Sequence, residues 1–539
     1  MLLPIITTIV YLFILTGLTY FGYRGTKNTG DYMLAGRQIH PMIMALSYGA
    51  TFISTSAIVG FGGNAAQLGM SLLWLTFLNI FVGVFIAFVF FGKRTRKMGH
   101  NLDAHTFPEL LGRRFQSRFI QAFSAALIFL FMPIYAAAVL KGGVGFLATQ
   151  FKIDFNATLF FFALIMALYV SLGGLKGVMY TDAFQGIIMF CGMLFLLIFV
   201  YNKLGGVTQA HTDLTNMMKN PDVIEQTKGL SSSGFRGWTM MPSFGTPIWW
   251  SVISSIILGV GVGVLAQPQL VVRFMTVKSN RELNRAVASG GVFILFATGV
   301  AFTVGALSNV LFFKQTGKIS FLAADKVVDN IIPLFLKNNL PDWFGTVFLL
   351  TLLAAAMSTL SSLYHTIGTS LGRDFFEKGL GMKRGTVLLT RLGIMIAIIV
   401  SAVLAYIGNE IQASFGLIAQ ATALFFGLCA AAFLPTYVAA LYFKKISRVA
   451  AISSILSGSI VSVIWIFLIH AKNATTIGLC QHLFNKPYLL AGTSLDKLSQ
   501  VDSILIALPI SIIVIIAVTL LAKPDVETAH VDKCFSGVK

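Results

Sequence analysis

Two adjacent hydroxyl side chains lie in the middle of an apolar segment, within the string Ala355-Ala-Met-Ser-Thr-Leu-Ser361. The run 347–371 is long enough to cross a bilayer, and packing alone does not require Ser358 and Thr359 side by side there. Hydroxyl and carbonyl oxygens are hard ligands that suit a small cation, so the string predicts half of a sodium site. Small hydroxylated residues also let two membrane helices approach and hydrogen-bond, and close helix packing is therefore the alternative interpretation.

A second apolar segment, residues 41–67, also contains residues that a lipid-facing helix would avoid. Near its middle it has Gly49 and the hydroxyl residues Thr51, Ser54, Thr55 and Ser56. These residues predict an interrupted helix, because unwinding frees backbone carbonyls that can coordinate an ion where the irregular backbone lines a cavity. The segment 246–268 is similar, since three glycines precede Gln267-Pro268. The two segments are five spans apart, which suggests five-helix halves repeated with inverted topology.

Asp182 is the only acidic side chain that we place within the predicted membrane region, near one end of the span 180–201. A carboxylate at that depth is costly unless it is paired or binds an ion, so Asp182 indicates a functional site. Thr181 and Asp182 are also good helix-capping residues, which leaves a structural role near a helix N-terminus as the alternative.

Composition predicts an all-α polytopic membrane protein, since 56% of the 539 residues are hydrophobic and only 11% are charged. Apolar runs of about 20 residues alternate with short polar loops, as expected for membrane-spanning helices. We predict about 13 transmembrane helices, at residues 2–22, 41–67, 71–92, 119–148, 157–175, 180–201, 246–268, 284–313, 343–372, 386–408, 412–442, 449–470 and 501–522. The four cysteines are dispersed without metal-ligand spacing. No His-x-x-x-His, paired acids or Cys–His grouping occurs within the spans, so we do not expect an intramembrane enzyme or a cofactor other than Na+.

Basic residues are distributed unequally between the two faces that this topology defines. The face that carries the C-terminus holds 25 of the 39 Lys and Arg residues, the opposite face holds 13, and Arg391 lies within a span. Because cytoplasmic loops carry an excess of Lys and Arg, we predict a multi-pass protein of the cell (plasma or inner) membrane, with its N-terminus outside and its C-terminus cytoplasmic. The net charge of +19 is then explained by contact with the anionic lipid bilayer and requires no nucleic-acid partner.

Five strings along the chain together resemble motifs of the sodium:solute symporter family. They are Tyr32-Met-Leu-Ala-Gly-Arg37, Ala50-Thr-Phe-Ile-Ser54, Gly173-Gly-Leu175 followed by Thr181-Asp-Ala-Phe-Gln185, Gln267-Pro268 through Arg273-Phe274, and Ala355-Ala-Met-Ser-Thr359. They occur in the family's order and cover nearly the whole chain. Each string alone is a weak signal, and the five together are specific.

The resemblance implies a LeuT-type core of 5+5 helices, in which spans two to six and seven to eleven are inverted repeats. One extra helix precedes this core and two follow it. Residues 1–539 would form a single membrane transport domain, with a leading helix (2–22), a first repeat (41–201), a second repeat (246–442), two trailing helices (449–522) and a cytoplasmic tail (523–539). The resemblance also implies a sodium ion between spans two and nine, bound by the carbonyls of Ala50, Ile53 and Ala355 and the hydroxyls of Ser358 and Thr359. Asp182, in its matching motif, would belong to a second sodium site or to the path by which the ion leaves.

The family implies sodium-coupled import of a small organic solute by alternating access, with one copy of the chain as the functional unit. Proline carriers of the family have an acid and a tryptophan where this chain has Phe52 and Ser56, which makes proline or another amino acid the second candidate. The second-span string is more similar to the monocarboxylate and vitamin branch, and this favours acetate, propionate, lactate or pantothenate. The predicted solute-site residues are Ser54, Thr55, Ser56, Gln67, Trp250 and Gln420, although each of them could instead serve helix packing. A membrane sensor that binds solute without moving it is the alternative from another class. We expect no signalling domain after Lys523, so a partner protein would have to supply one.

Overall fold

The computed structural model describes residues 2–382, 385–410 and 416–538, and within these ranges every regular element is a helix. The predicted start of the eleventh span, at residue 412, lies outside the described residues. So do Lys383, Arg384 and Lys539, three of the basic residues counted for the topology.

Among the described residues, 11 helices are long and apolar enough to cross a membrane. One of them, Phe155–Lys203, has 49 residues and would be about 73 Å long if it were straight, more than twice the thickness of the bilayer's hydrocarbon core. It breaks at Gly174, where φ is +57°, and therefore contains two spans. The bent pair Pro41–Phe52 and Ser56–Leu68 forms one further span. The described residues thus contain 13 spans, in agreement with the predicted number.

In chain order the spans are α1 (Leu2–Arg24), α2a and α2b (Pro41–Phe52 and Ser56–Leu68), α3 (Met70–Asn101), α4 (Arg118–Phe151), α5 and α6 (155–173 and 175–203), α7 (Pro247–Ala266), α8 (Asn280–Thr316), α9 (Asp342–Gly379), α10 (Thr386–Glu410), α11 (Leu417–Tyr442), α12 (Arg448–Ile469) and α13 (Ile504–Leu521). The shorter helices that matter below are Phe107–Arg114, Pro268–Phe274, Ile331–Asn339 and Ala471–Ile477.

The second span is interrupted where its hydroxyl residues cluster. Helix α2a ends at Phe52 because Ile53 has an extended backbone, with φ −88° and ψ 96°. Helix α2b restarts at residue 56, bent by 50° from α2a. The Ser54 hydroxyl accepts a hydrogen bond from the N–H of Ser56 over 3.1 Å, so a side chain satisfies one of the donors that the interruption exposes.

The seventh span also ends in a break. Helix α7 stops at Ala266, Gln267 is extended with ψ 114°, and Pro268 begins the short helix Pro268–Phe274. Proline is suited to that first helical position because its missing N–H would have had no partner there. A glycine ahead of the break allows close packing, since a Cβ on Gly263 would lie 2.4 Å from the carbonyl oxygen of Phe426. The two interrupted spans therefore occupy the positions that inverted repeats predict.

Burial separates the central spans from the peripheral ones. In the most apolar window of α9, 89% of the residues are buried, and in α11 the share is 83%. The same measure is 22% for α1 and for α13. Helices α9 and α11 therefore lie at the centre, while α1 and α13 lie at the outside and present apolar side chains to lipid.

Contacts near the ends of the spans agree with the two faces that the topology predicts. Glu109 pairs with Arg373 over 3.0 Å on the face that we name the inner face. Lys203 donates to the carbonyl of Asn339 over 3.0 Å on the opposite face, which we name the outer face. The assignment of the inner face to the cytoplasm stays a prediction from the loop charges.

Candidate ion and solute site

Helix α9 brings its two central hydroxyls against the end of α2a. The Ser358 hydroxyl donates to the carbonyl of Ala50 over 2.9 Å, and the Thr359 hydroxyl donates to the carbonyl of Thr51 over 3.1 Å. The Ser358 hydroxyl also lies 3.4 Å from the carbonyl of Ala355. All of these residues are buried. Two carbonyls and one hydroxyl from two helices therefore converge on one point beside the break.

The remaining predicted ligand, Ile53, lies at the break itself. In a continuous helix its carbonyl would accept the N–H of Ala57, but that N–H bonds to the carbonyl of Ser54 over 3.0 Å. The Ile53 carbonyl is thus outside the regular helical ladder. Carbonyl and hydroxyl oxygens form the donor set that a hard cation prefers. The structure brings Ala50, Ala355 and Ser358 together in this way, and the binding of sodium there stays a prediction.

Asp182 lies in the interior of α6 and is fully buried. Its carboxylate forms an ion pair with Arg273 of the helix Pro268–Phe274, with 2.8 Å between Nη2 and Oδ2. The hydroxyls of Ser47, Thr51 and Ser362 lie within 3.3 Å of Oδ2, and the hydroxyl of Ser361 donates to Oδ1 over 3.1 Å. The capping interpretation of Asp182 is wrong, because the residue lies inside the helix and its partners belong to other elements.

Two expectations about charge are corrected here. Arg273 is one of the 25 basic residues that the predicted topology places in loops of the face with the C-terminus, but its side chain is only 1% exposed and is buried against Asp182. Asp182 is also not the only acid within a span, since the predicted span 501–522 contains the buried Asp502. In addition, Asp374 is buried near the end of α9 and accepts a hydrogen bond from the Gln121 amide over 2.7 Å. The sequence signal for Arg273 was its position shortly after the Gln267-Pro268 break, which keeps it beside the interrupted helix.

A small central cavity of about 20 Å³ lies beside the break in α2 and has room for about one water molecule. Its polar lining residues are Ser54, Asn79, Tyr135, Thr298 and Thr422, and its apolar ones include Phe52, Phe302 and Phe426. The Tyr135 hydroxyl donates to Ser54 over 3.3 Å. The described lining residues include no Asp, Glu, Lys or Arg.

The structure does not bring the six predicted solute residues together. Ser54 lines the central cavity, whereas Gln67 and Gln420 line a larger cavity of about 290 Å³ on the outer face. Ser54 and Gln67 are separated by roughly 20 Å along a helix, because thirteen residues rise about 1.5 Å each. One small solute cannot contact both at the same time.

The other three predicted solute residues make contacts of their own. The Thr55 hydroxyl donates to the carbonyl of Val139 over 2.8 Å, as the helix-packing alternative predicts. Ser56 is fully buried at the start of α2b. Trp250 packs edge to face on Trp249, with ring centroids 4.7 Å apart, at the outer end of α7.

Four cavity-lining residues were missed by the sequence reasoning: Asn79, Tyr135, Thr298 and Thr422. Each is a polar residue within an otherwise apolar span, in α3, α4, α8 and α11 respectively. That signal is present in the sequence, but many membrane helices carry single polar residues for packing. Only the packing of four different helices selects these four.

Known proteins share this architecture. A structure described as the substrate-bound outward-open state of a Na+-coupled sialic acid symporter matches with a TM-score of 0.73, covering 97% of this chain and 98% of that one at 17% identity. Mhp1, a nucleobase-cation-symport-1 family transporter in a closed conformation, matches with a TM-score of 0.50, covering 94% and 99% of the two chains at 12% identity. These likenesses show an all-α, LeuT-like transporter fold.

Sequence comparison extends the likeness beyond the fold. Sodium/proline symporters of Staphylococcus aureus, for example of strains JH9 and NCTC 8325, are 30% identical over 472 residues, which is 85% of this chain and 84% of theirs. The model of the sodium:solute symporter family matches residues 32–458. The chain is therefore a multi-pass, sodium-coupled transport protein that belongs to the sodium:solute symporter family.

Proposed function

We propose that this protein imports a small carboxylate-bearing solute together with sodium. The observation that carries the proposal is the convergence of Ser358 with the carbonyls of Ala50 and Ala355 at the break in α2. A sodium ion there would bridge α2a and α9, because its ligands would come from both helices. Binding of the ion would thus stabilise one arrangement of the two helices over the other.

The Asp182 network is the second place where an ion would act. Arg273 and three hydroxyls surround Oδ2, whereas Oδ1 accepts the single hydroxyl of Ser361. Ser361 in turn donates to the carbonyl of Ser358 over 2.9 Å, so Oδ1 lies next to the first site. A second sodium, or a sodium leaving the first site, would interact with this oxygen.

The carboxylate of the solute would bind at the central cavity once the surrounding helices separate, because helix α2b begins there. The first N–H groups of α2b, those of Ser56 and Ala57, bond to the hydroxyl and the carbonyl of Ser54, but such helix ends still carry partial positive charge that favours anionic groups. Half-helix N-termini bind substrate carboxylates in this way in LeuT-type transporters. A monocarboxylate, or a pantothenate-like carboxylate, is our first candidate.

Proline is the second candidate. It is favoured by the 30% identity to proteins named sodium/proline symporters. It is disfavoured by Phe52 and Ser56, which occupy the positions of the acid and the tryptophan of the family's proline carriers. Proline also bears a carboxylate, so both candidates agree on the group that the site must recognise.

Transport would proceed by alternating access, with a single chain as the transporting unit. The central cavity has room for only about one water molecule, so solute binding requires the surrounding helices to separate. With the N-terminus outside and the C-terminus cytoplasmic, the sodium gradient and the membrane potential drive uptake. The potential contributes about 2.3 kcal/mol per charge per 100 mV.

The test is uptake of radiolabelled acetate, lactate, pantothenate and proline into proteoliposomes, with and without an inward sodium gradient. Sodium-driven accumulation of one of them supports the proposal and names the solute. Uptake that is equal with and without the sodium gradient refutes the coupling of solute transport to sodium. Binding without accumulation supports the sensor instead.

Two variants assign the ion site. Ser358→Ala/Thr359→Ala removes both hydroxyls, and a hydrogen bond or ligand contact to a charged group contributes about 1.5–3 kcal/mol. We therefore expect the sodium concentration for half-maximal uptake to rise about 10- to 100-fold. Ser401→Ala is the matched control, since Ser401 is fully buried in α10 and donates to the carbonyl of Ala397, away from the break. An unchanged sodium dependence in the double variant refutes the site.

A further inference from the structure

The outer cavity of about 290 Å³ contains a lysine that the ion and solute sites do not use. Its walls come from α2b, α7, α11 and the short helix Ala471–Ile477. Polar groups from each of these elements face the same space: Asn64, Gln67, Ser251, Ser255, Gln420 and Lys472. The cavity thus combines one cation with several neutral hydrogen-bonding side chains.

Lys472 has no acidic partner among the described residues. Its Nζ donates to the hydroxyl of Ser251 over 2.7 Å, and no carboxylate oxygen of residues 2–382, 385–410 or 416–538 forms an ion pair with it. Lys141, the lysine near the outer end of α4, differs in this respect because it pairs with Asp329 over 3.4 Å. Burial lowers the pKa of Lys472 to about 8, which leaves the side chain mostly positive at neutral pH. A half-buried cation that lacks a counter-charge is costly, and a bound anion would remove the cost.

The outer cavity is adjacent to the central cavity along two helices that line both of them. Helix α7 contributes Ile256 to the outer cavity and Val260 to the central one. Helix α11 contributes Ala423 to the outer cavity and Phe426 to the central one. Residues three or four apart on a helix are neighbours along one side, so the same two helices lead from one cavity to the other.

We propose that Lys472, with the neutral groups of Ser251 and Gln420, forms an outer site that receives the carboxylate of the solute before the solute reaches the central cavity. The site acts as a selectivity filter for anions, because a neutral analogue of the same size gains nothing from the lysine. A cleft with low-dielectric walls concentrates such attraction. The inference rests on the proposed import of a carboxylate and adds the residue that recognises it from outside.

The first test needs no transport. The purified protein is acetylated with N-hydroxysuccinimidyl acetate in the presence of lactate, pantothenate or proline, and with lactamide as the neutral control. Peptide mass spectrometry then compares the extent of modification at Lys472 with that at Lys486, an exposed lysine of the same face. At least one carboxylate should slow acetylation of Lys472 several-fold. Lactamide should not protect Lys472, and none of the compounds should protect Lys486. Equal labelling with and without all three carboxylates overturns the outer site, whether or not the protein transports.

The second test uses uptake of the labelled solute that the wild type accumulates. Lys472→Gln should raise KM about tenfold while the maximal rate and the sodium dependence stay within twofold. Lys472→Arg should restore a KM near that of the wild type, and Lys486→Gln should change nothing. Ser251→Ala removes a neutral member of the site and keeps the cation, so it should raise KM by less than Lys472→Gln does. A KM that is unchanged in Lys472→Gln, or raised equally by Ser251→Ala, overturns the inference. A wild type without sodium-driven uptake instead refutes the proposed symport, and the acetylation test still decides the outer site.

Discussion

The Asp182–Arg273 pair gives the sharpest test of the structure. Asp182→Asn keeps the size of the side chain and one acceptor oxygen but removes the negative charge. Arg273 is 1% exposed, and Asp182 supplies the one carboxylate within 4 Å of it among the described residues. The variant therefore leaves a buried guanidinium without a counter-charge.

The expected cost follows from this burial. Removing one partner of a buried ion pair typically costs about 3–5 kcal/mol, because the other charge remains uncompensated. The double variant Asp182→Asn/Arg273→Met removes the second charge as well. What remains is the loss of the hydrogen bonds from Arg273 to the three hydroxyls of Ser47, Thr51 and Ser362 and to the carbonyl of Gln269, each worth about 1 kcal/mol. Bonds among the three hydroxyls partly replace those lost. We expect the double variant to be more stable than Asp182→Asn.

The assay is the midpoint of thermal aggregation in detergent, measured for both single variants and for the double variant as a cycle. Asp213→Asn is the control for an exposed pair, since Asp213 and Lys314 form an ion pair with side chains 20% and 54% exposed. Its effect should stay within about 1 kcal/mol. The reasoning fails if Asp182→Asn is as stable as the wild type, or if the double variant is no more stable than Asp182→Asn.

Two further predictions concern packing and charge away from the site. Glu109→Gln should destabilise the protein by about 3–5 kcal/mol, because it leaves the buried Arg373 unpaired. Burial raises the pKa of Glu109, but hydrogen bonding and the neighbouring guanidinium groups hold it well below the usual value of 4.5. The stabilisation that the ionised Glu109 contributes is therefore present above about pH 4.5 and is lost as the pH falls. The melting temperatures of the wild type and the variant should converge in acid, and a difference between them that does not depend on pH would contradict this. Gly305→Ala should reduce the yield of folded protein on size-exclusion chromatography, because its Cβ would lie 2.2 Å from the carbonyl oxygen of Gly62. Gly299→Ala on the same helix, with its nearest neighbour 4.0 Å away, should be tolerated, and equal yields for the two would count against the packing.

The fold could be predicted from the sequence to a large extent. Apolar runs of membrane length locate the spans, since a bilayer leaves few alternatives to helices. Two runs are interrupted by glycine, hydroxyl residues or proline, and both breaks occur in the structure, at Ile53 and at Gln267. The meeting of Ala50 with Ser358 could be predicted as well, because family motifs fix which two spans face each other.

The solute site could be predicted only in part. The search for polar residues along α2, α7 and α11 found Ser54 but grouped it with Gln67 and Gln420, which line another cavity. Depth along a helix follows from counting residues, whereas the direction of each side chain depends on how neighbouring helices pack. Asn79 and Tyr135 illustrate this point, since nothing in α3 or α4 alone marks them as lining one cavity.

The sequence by itself determines that this chain spans a membrane, where its helices break and which hydroxyls are available for an ion. These properties depend on local composition, because hydrophobic length and backbone interruptions act within one segment. The tertiary structure alone decides that Arg273 is buried against Asp182 and that Lys472 enters a cavity without an acidic partner among the described residues. Pairing of charges depends on distances between segments far apart in the chain. A charged residue between two apolar segments can be exposed or buried, and only the packing of the helices decides between the two.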